Sequence, residues 1–260
     1  FEKLEIIDGY GRQVSVPAQV QRVVSLSPAV TEIVYALGAG ERLVGRTDFC
    51  NYPAECLALP SVGGISNLNV EAIVALKPDL VISGSMVSKK NVEQLEKLGI
   101  PVVCFPEGQR FEDLYRNIEG IAAAMNCDPD SLIAHCTIED SPYRESEGSP
   151  TLYYVVGYGK GGNYTAGGNT FINDIIQLAG CENIAKDLEG WSFSQEALME
   201  ADPDYIMIRA EDSAAFCSMP PYTRLTAVRQ RRVIAIESGL IDQQSPRNVD
   251  AIRFIAEAIK

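Results

Sequence analysis

The sequence predicts an α/β protein of two similar halves, each a parallel sheet covered by helices. Three observations lead there. Short apolar runs of strand length alternate with stretches whose apolar residues recur at helical spacing. That alternation stops at a polar stretch, 139–150, and then restarts, and one segment of the first half recurs without a gap in the second. Each new strand in such an alternation needs a helical crossover, which makes the strands parallel and puts helices on both faces of the sheet.

Taken in order, Glu5-Ile6-Ile7-Asp8-Gly9-Tyr10-Gly11-Arg12-Gln13-Val14-Ser15-Val16-Pro17 reads as a hairpin, with Asp8-Gly9 supplying turn chemistry between alternating runs. Apolar strands follow at 22–26, 42–45, 80–83 and 102–105, with helical stretches at 31–37, 70–76 and 91–98. The helical spacing over 111–124 is long enough to connect two halves. Beyond the polar stretch come a strand at 151–156, helices at 169–178 and 194–200, strands at 205–208 and 233–236, and a final helix over 246–259. The parsing is an N-terminal α/β lobe over 1–108, a helical connection over 109–150 and a C-terminal α/β lobe over 151–260.

The repeat is the strongest internal signal. Asn69-Val70-Glu71-Ala72-Ile73-Val74-Ala75-Leu76-Lys77-Pro78-Asp79-Leu80-Val81-Ile82 aligns with Ser194-Gln195-Glu196-Ala197-Leu198-Met199-Glu200-Ala201-Asp202-Pro203-Asp204-Tyr205-Ile206-Met207, 125 residues further on. In each copy an N-cap residue opens a short helix, a glutamate occupies its first turn, and Pro-Asp ends it before an apolar strand. Glu71 and Glu196 therefore hold corresponding positions on the two halves.

Composition excludes several functions. The 260 residues carry 22 Lys plus Arg against 35 Asp plus Glu, a net charge of -13, which argues against a general nucleic-acid binder. Hydrophobic residues make up 46%, enough for a packed core and too many for a disordered chain. The single histidine, His135, rules out any site built from several imidazoles, and its setting in Ser131-Leu132-Ile133-Ala134-His135-Cys136 reads as an amphipathic helix, hence structural. The seven cysteines form no C-x-x-C pair; Cys50 with Cys56, or Cys127 with Cys136, could bridge, but most read as small buried hydrophobes. No apolar run reaches the roughly 18 residues of a membrane span. No signal peptide opens the chain, and a start at Phe1 reads as a mature or trimmed form.

Arg22-Val23-Val24-Ser25-Leu26-Ser27-Pro28-Ala29-Val30-Thr31-Glu32, then Leu37-Gly38, Val44-Gly45-Arg46-Thr47-Asp48, Tyr52-Pro53 and Val62-Gly63-Gly64, form an ordered set of short motifs. The set continues through Asn69-Val70-Glu71, Thr170-Phe171-Ile172 and Leu178-Ala179-Gly180-Cys181-Glu182-Asn183-Ile184-Ala185 to Ser245-Pro246-Arg247. In order and spacing it resembles the periplasmic binding proteins that carry cobalamin, ferric siderophores and haem, over nearly the whole chain. The resemblance implies two Rossmann-like lobes joined by one long helix, a ligand held in a cleft, and an ABC importer as partner. It also implies that Glu71 and Glu196 dock on permease arginines. A glutamate in a helix's first turn otherwise offsets the macrodipole by only about 0.3–1 kcal/mol. One segment departs from the family pattern: residues 127–150 are short for a second helical stretch and end in Ser141-Pro142-Tyr143-Arg144-Glu145-Ser146-Glu147-Gly148-Ser149-Pro150.

Gly157-Tyr158-Gly159-Lys160-Gly161-Gly162 satisfies the dinucleotide G-x-G-x-x-G pattern after a strand, but residues 163–168 intervene before any helix whose N-terminus could meet a pyrophosphate. The resemblance makes this segment a cleft loop, its glycines with Tyr158 and Tyr164 shaping an aromatic pocket edge.

The ligand class stays open between neighbours. Haem-binding relatives place a tyrosine ligand where Gly64 stands here, and one histidine leaves few axial donors. Anionic siderophores call for Arg or Lys, with Arg46, Arg209 and Arg247 as candidates, although Arg247 could instead cap the Asp242 loop. Cobalamin is nearly neutral and suits Tyr52, Tyr158, Tyr164 and Trp191, but the relatives that bind it carry more tryptophans than this chain's one. The reading is an extracytoplasmic solute-binding protein for a metal chelate, first a corrinoid, with a ferric siderophore or haem as alternative. Ser27, Tyr52, Tyr158, Tyr164, Trp191 and Arg247 are its expected ligand contacts. It is expected to be a monomer with no resident cofactor or metal, no catalytic residue, and no membrane contact beyond a lipid anchor. The reading from another class is a nucleotide-dependent α/β enzyme using the glycine loop.

Overall fold

A computed structural model describes residues 2–84, 87–141 and 148–260. The chain forms two compact units. The first comprises Phe1–Glu107, Glu112–Thr137 and Gln243–Pro246; the second comprises Gly108–Phe111, Ile138–Asp242 and Arg247–Lys260.

The first unit opens with the expected hairpin, β1 (Lys3–Ile7) against β2 (Gln13–Pro17). Ile7 pairs with Gln13, so the turn spans five residues, 8–12, where the Asp8-Gly9 pair suggested a tighter one. The reason lies in the Asp8 side chain. Fully buried, it accepts the backbone N–H groups of Tyr10 and Arg12 at 3.0 Å and of Cys104 at 3.2 Å, and pairs with the Arg12 guanidinium at 3.0 Å. Gly9 serves close approach instead: its N–H donates to the Cys104 carbonyl at 2.8 Å, and a Cβ there would lie 2.5 Å from Pro106.

There follow β3 (Val23–Ser25), α1 (Pro28–Ala36), β4 (Leu43–Gly45), α2 (Val70–Ala75), β5 (Leu80–Ser83), α3 (Lys89–Lys97) and β6 (Val102–Cys104). The strands form a parallel sheet in the order β4-β3-β5-β6. Helix α1 starts earlier than periodicity alone suggests, because Ser27 caps it and Pro28 sits in its first turn. The helical part of 109–150 forms α4 (Asp113–Met125) and α5 (Asp130–Cys136), both in the first unit. Leu114, Ile118, Ile121 and Met125 give α4 a buried stripe at helical spacing, and the helix packs against α1, β1 and α5. Arg42 donates to the Met125 carbonyl at 2.7 Å, a cation at the negative end of α4. Of the shortened segment, residues 142–147 lie outside the described residues.

The second unit holds β7 (Thr151–Val155), α6 (Phe171–Leu178), β8 (Glu182–Asn183), α7 (Gln195–Ala201), β9 (Tyr205–Arg209), α8 (Ser213–Ser218), α9 (Thr226–Arg229), β10 (Val233–Ile236) and α10 (Asn248–Ala258). Its parallel sheet runs β10-β9-β7-β8. Counted from the first strand of each sheet, both units have the order 2-1-3-4, so the sequence repeat is a repeat of topology.

The two copies agree in detail. Asn69 caps α2 by accepting from Ala72 N at 2.9 Å, and Ser194 caps α7 by accepting from Ala197 N at 3.0 Å. Lys77 and Asp202, at matching positions, both take left-handed φ values, 49° and 40°, and turn the chain into Pro-Asp. Asp79 then accepts the N–H groups of Gln21 and Arg22 at 2.9 Å, while Asp204 accepts the N–H and hydroxyl of Thr151 at 2.8 and 3.0 Å. Each aspartate ties the start of its unit's third strand to the start of the first.

All seven cysteines are free, and Cys50, Cys56, Cys104, Cys136 and Cys181 are buried, so neither candidate bridge is formed. Burial pushes the Cys181 thiol up to about 12 and also raises Cys56 and Cys104. Since the thiolate is the reactive form, titration of the folded protein with a disulfide reagent at about pH 8 should modify only Cys127 and Cys217 rapidly, the other five reacting after denaturation. Rapid reaction of the buried set would contradict this packing.

Candidate functional site

In open parallel sheets, ligands bind beyond the carboxyl ends of the strands, where neighbouring connections leave in opposite directions. The order 2-1-3-4 puts that point between β3 and β5 in the first unit and between β7 and β9 in the second. Four of the expected contact residues stand on chain that leaves or flanks these points.

In the first unit the crevice is built of small neutral groups. Ser27, just past β3, accepts from Val30 N at 3.5 Å as the α1 cap, and a Cβ on Gly84, past β5, would sit 2.9 Å from its hydroxyl. Beneath it runs a chain of buried groups. Ser25 Oγ donates to the Ser27 carbonyl at 3.0 Å, Thr31 Oγ1 lies 2.8 Å from Ser25 Oγ, and Cys50 Sγ lies 3.2 Å from the hydroxyls of Thr31 and Thr47. Cys50 thereby joins the Ser27 turn to the loop that exposes Phe49 and Tyr52, 59% and 44% accessible. Arg46 holds the same loop by donating to the carbonyls of Thr47, Cys50 and Leu57 at 3.1, 3.5 and 3.3 Å. At Gly64 a side chain would have to displace its neighbours: a Cβ would meet Asn67 Oδ1 at 2.8 Å and Phe49 at 3.3 Å. Sequence reasoning passed over Phe49, although an aromatic side chain placed between Asp48 and Cys50 was readable as a loop residue.

In the second unit, Tyr158, Tyr164 and Trp191 stand on adjoining segments. Tyr164 exchanges backbone hydrogen bonds with Gly157 at 3.0 and 3.1 Å and bridges to Ser192, while Thr165 N donates to the Trp191 carbonyl at 2.8 Å. Tyr164 and Trp191 remain 43% and 47% accessible. Tyr158 is more committed. Its ring meets Phe216 edge-on at 5.5 Å beside the Phe216–Tyr222 stack at 4.4 Å, and its hydroxyl lies 3.5 Å from Asp212. Arg247 precedes α10, nearly buried, with Glu237 at 3.7 Å; the partner of Asp242 is Arg209, whose Nε and Nη2 reach Asp242 Oδ1 at 3.3 and 3.0 Å.

The glycine loop is closed on itself. Gly157 N donates to the Tyr164 carbonyl, Gly162 N to the Gly159 carbonyl and Gly159 N to the Tyr222 hydroxyl at 3.0 Å, so these amides are not offered to a phosphate. The next long helix, α6, begins only at Phe171. This geometry opposes the nucleotide reading of the motif. Glu71 and Glu196 are exposed in the first turns of α2 and α7, one on each unit. His135 is exposed on α5, and no group of three or more His, Cys, Asp or Glu side chains that could hold a metal occurs among the described residues.

The profile of the periplasmic binding protein family matches residues 23–131 and 140–240. The chain belongs to that family. It is therefore an extracytoplasmic solute-binding protein, and no helix among the described residues is long and apolar enough to cross a membrane. It is 30% identical to the uncharacterized ABC transporter substrate-binding lipoprotein YvrC of Bacillus subtilis strain 168, over 98% of this chain and 84% of that one. It is 29% identical to a cobalamin-binding protein of Halobacterium salinarum, over 96% of this chain and 72% of that one. Among solved structures, the periplasmic heme-binding protein RhuT from Roseiflexus sp. RS-1 superimposes with a TM-score of 0.78 at 25% identity, covering 92% of this chain and 99% of that one. The family and these relatives are binding proteins.

Tyr222 should hold the glycine loop through its hydroxyl, which also donates to Asn163 Oδ1 at 2.6 Å. Tyr222→Phe keeps the ring stack and removes both bonds. It should cost about 1–2 kcal/mol in denaturant unfolding and speed amide exchange at Gly159; unchanged exchange would mean that the loop is held elsewhere.

Proposed function

We propose that the protein captures a corrinoid, cobalamin or a close relative, and delivers it to the permease of an ABC importer. The observation that carries the ligand class is the state of the three arginines an anionic chelate would need. Arg46 is spent on backbone carbonyls, Arg209 is neutralised by Asp242, and Arg247 lies against Glu237. What the strand ends offer instead is exposed aromatic surface on Phe49, Tyr52, Tyr164 and Trp191, which suits a large, flat, nearly neutral macrocycle. The cobalamin-binding relative supports the same choice.

In this reading Ser27 and Tyr52 from the first unit, and Tyr158, Tyr164, Trp191 and Arg247 from the second, contact the ligand, and no bond is made or broken. The protein acts as a monomer, held at the membrane by a lipid anchor, and carries no cofactor of its own. Its cargo is a cobalt chelate. Glu71 and Glu196 present one carboxylate per unit to cationic side chains of the permease.

Titration of the purified chain with cobalamin, followed by absorbance, should show binding at micromolar concentration or tighter. Haem and ferric catecholates should bind more weakly, and Trp191→Ala should lose about tenfold in affinity. Absence of cobalamin binding alongside micromolar binding of NAD or ATP would overturn the reading in favour of an enzyme; tight haem or siderophore binding would transfer it to that ligand. For docking, Glu71→Lys with Glu196→Lys should leave ligand affinity unchanged and abolish uptake. Normal uptake by the double variant would defeat that assignment.

A further inference from the structure

The arginines of this chain fall into two groups. Outside one segment, each described arginine ends on a carboxylate, as Arg110 does on Asp174 at 3.2 Å, or on a backbone carbonyl, as Arg22 does on that of Leu76 at 2.7 Å. The exception is residues 213–236 of the second unit, which hold Arg224, Arg229, Arg231 and Arg232 and no Asp or Glu, in a chain of net charge -13. All four are exposed, and among the described residues none has a carboxylate partner. Arg229 Nη2 donates to Thr226 Oγ1 at 3.4 Å, and Arg232 stands over the Tyr205 ring, 6.0 Å from its centroid. Ile206 N, in β9, donates to the Arg232 carbonyl at 3.1 Å, which puts Arg231 and Arg232 at the amino ends of β9 and β10. Arg229 ends α9, and Asp202, at the end of α7, brings that helix to the same place by accepting Thr226 N at 2.8 Å. Arg224 stands two residues before Thr226. Asp202 and Asp204 offset part of this charge while accepting N–H and hydroxyl groups, and the arginines remain in excess. Glu196 lies at the opposite end of α7.

We propose that these four arginines form a contact surface for anionic phospholipid, on which the second unit rests by the amino ends of its strands. A guanidinium presents a fork of donors that matches a phosphate group. Arg229 leans on Thr226 and Arg232 on Tyr205, so the guanidiniums are spread rather than gathered on one point. That spread suits a surface carrying many phosphates better than one small anion. The acidity of the whole chain does not prevent the contact. Exposed charges further away than a Debye length, about 8 Å in physiological salt, are largely screened, so the arginines nearest the lipid govern it. The choice of lipid over an acidic protein rests on the proposed tether, which keeps the chain beside a bilayer and makes weak contact sufficient. A chain resting on this patch holds the carboxyl ends of β7 and β9, with Tyr164 and Trp191 beyond them, away from the bilayer and open to solute.

The test is flotation of the full chain with vesicles of phosphatidylcholine, alone or with about one third phosphatidylglycerol, in low and in high salt. In low salt the chain should prefer the anionic vesicles by about tenfold or more, and high salt should abolish the preference. Arg224→Gln, Arg229→Gln, Arg231→Gln and Arg232→Gln together should remove it. Lys89→Gln, Lys90→Gln, Lys97→Gln and Lys260→Gln together take the same charge from other exposed sites and should leave most of it. Should the four-arginine variant melt early, Arg224→Gln with Arg231→Gln alone, neither side chain having a partner among the described residues, should still lower the preference several-fold. Equal binding of the wild type to both vesicles, or equal loss in the arginine and lysine variants, would overturn the proposal. So would self-association of the wild type that the arginine variant lacks, without vesicle binding, which would give the patch to a second copy of the chain. Cobalamin affinity, measured without vesicles, should be the same in all variants, so the corrinoid reading and this one stand or fall separately.

Discussion

Two aspartates, Asp79 and Asp204, set the geometry on which both units depend. A parallel sheet built by crossovers has no tight turn to fix the register of neighbouring strands. Here the register is fixed by side chains. Each helix of the repeat ends in a left-handed residue and a proline, and the next carboxylate takes N–H groups at the entrance to the unit's first strand. With the strand entrances tied, the lengths of β3 and β5, or of β7 and β9, decide how far their carboxyl ends stand from each other. Those ends carry Ser27 and Gly84 in one unit, Tyr158 and Arg209 in the other.

On this shared scaffold the chemistry has diverged. The first unit's strand ends are hydroxyls, a glycine and a buried thiol, joined by hydrogen bonds that run from Thr47 through Cys50, Thr31 and Ser25 to the Ser27 carbonyl. Such a chain is neutral and rigid and leaves flat aromatic side chains on the adjoining loop. The second unit's ends are ionic and aromatic, with Arg209, Asp242 and Asp212 beside Tyr154 and Tyr158. Preformed surfaces of both kinds lower the ordering cost of binding.

Most of the first unit, and the duplication itself, was legible because apolar periodicity, caps and Pro-Asp punctuation are local signals. Asn69, Ser194, Asp79 and Asp204 act within a few residues of where they stand or on the adjoining strand, so the pattern carried over. The hairpin turn was not legible in length, since Asp8 is recruited by Arg12 and Cys104, 96 residues away in the latter case. Strand β8 has two residues, and α8 and α9 six and four, too short for a periodic pattern to emerge. At the candidate site, Tyr52, Tyr158, Tyr164 and Trp191 could be named from sequence because they stand in turn- and glycine-rich segments between elements, whereas Phe49 was missed. The arginines could not be sorted. Whether Arg209 or Arg247 was the partner of Asp242 depends on which of two loops approaches a strand end, and no spacing rule expresses that.

The sorting of those arginines also changes what the charge of -13 means. In so acidic a chain an unpaired arginine would be a strong local attractor for an anion; Arg209 lies against Asp242 and Arg247 against Glu237, while Arg46 is turned onto carbonyls of its own loop. The Arg209–Asp242 pair is too exposed to be kept for stability, since such pairs contribute at most about 1 kcal/mol. Its effect is electrostatic, since it removes a free positive charge from the second unit's strand ends. Two charges that cancel at a distance leave this surface with no net pull on a bulk anion. A lone arginine would offer affinity for any acid; one held against an aspartate does not.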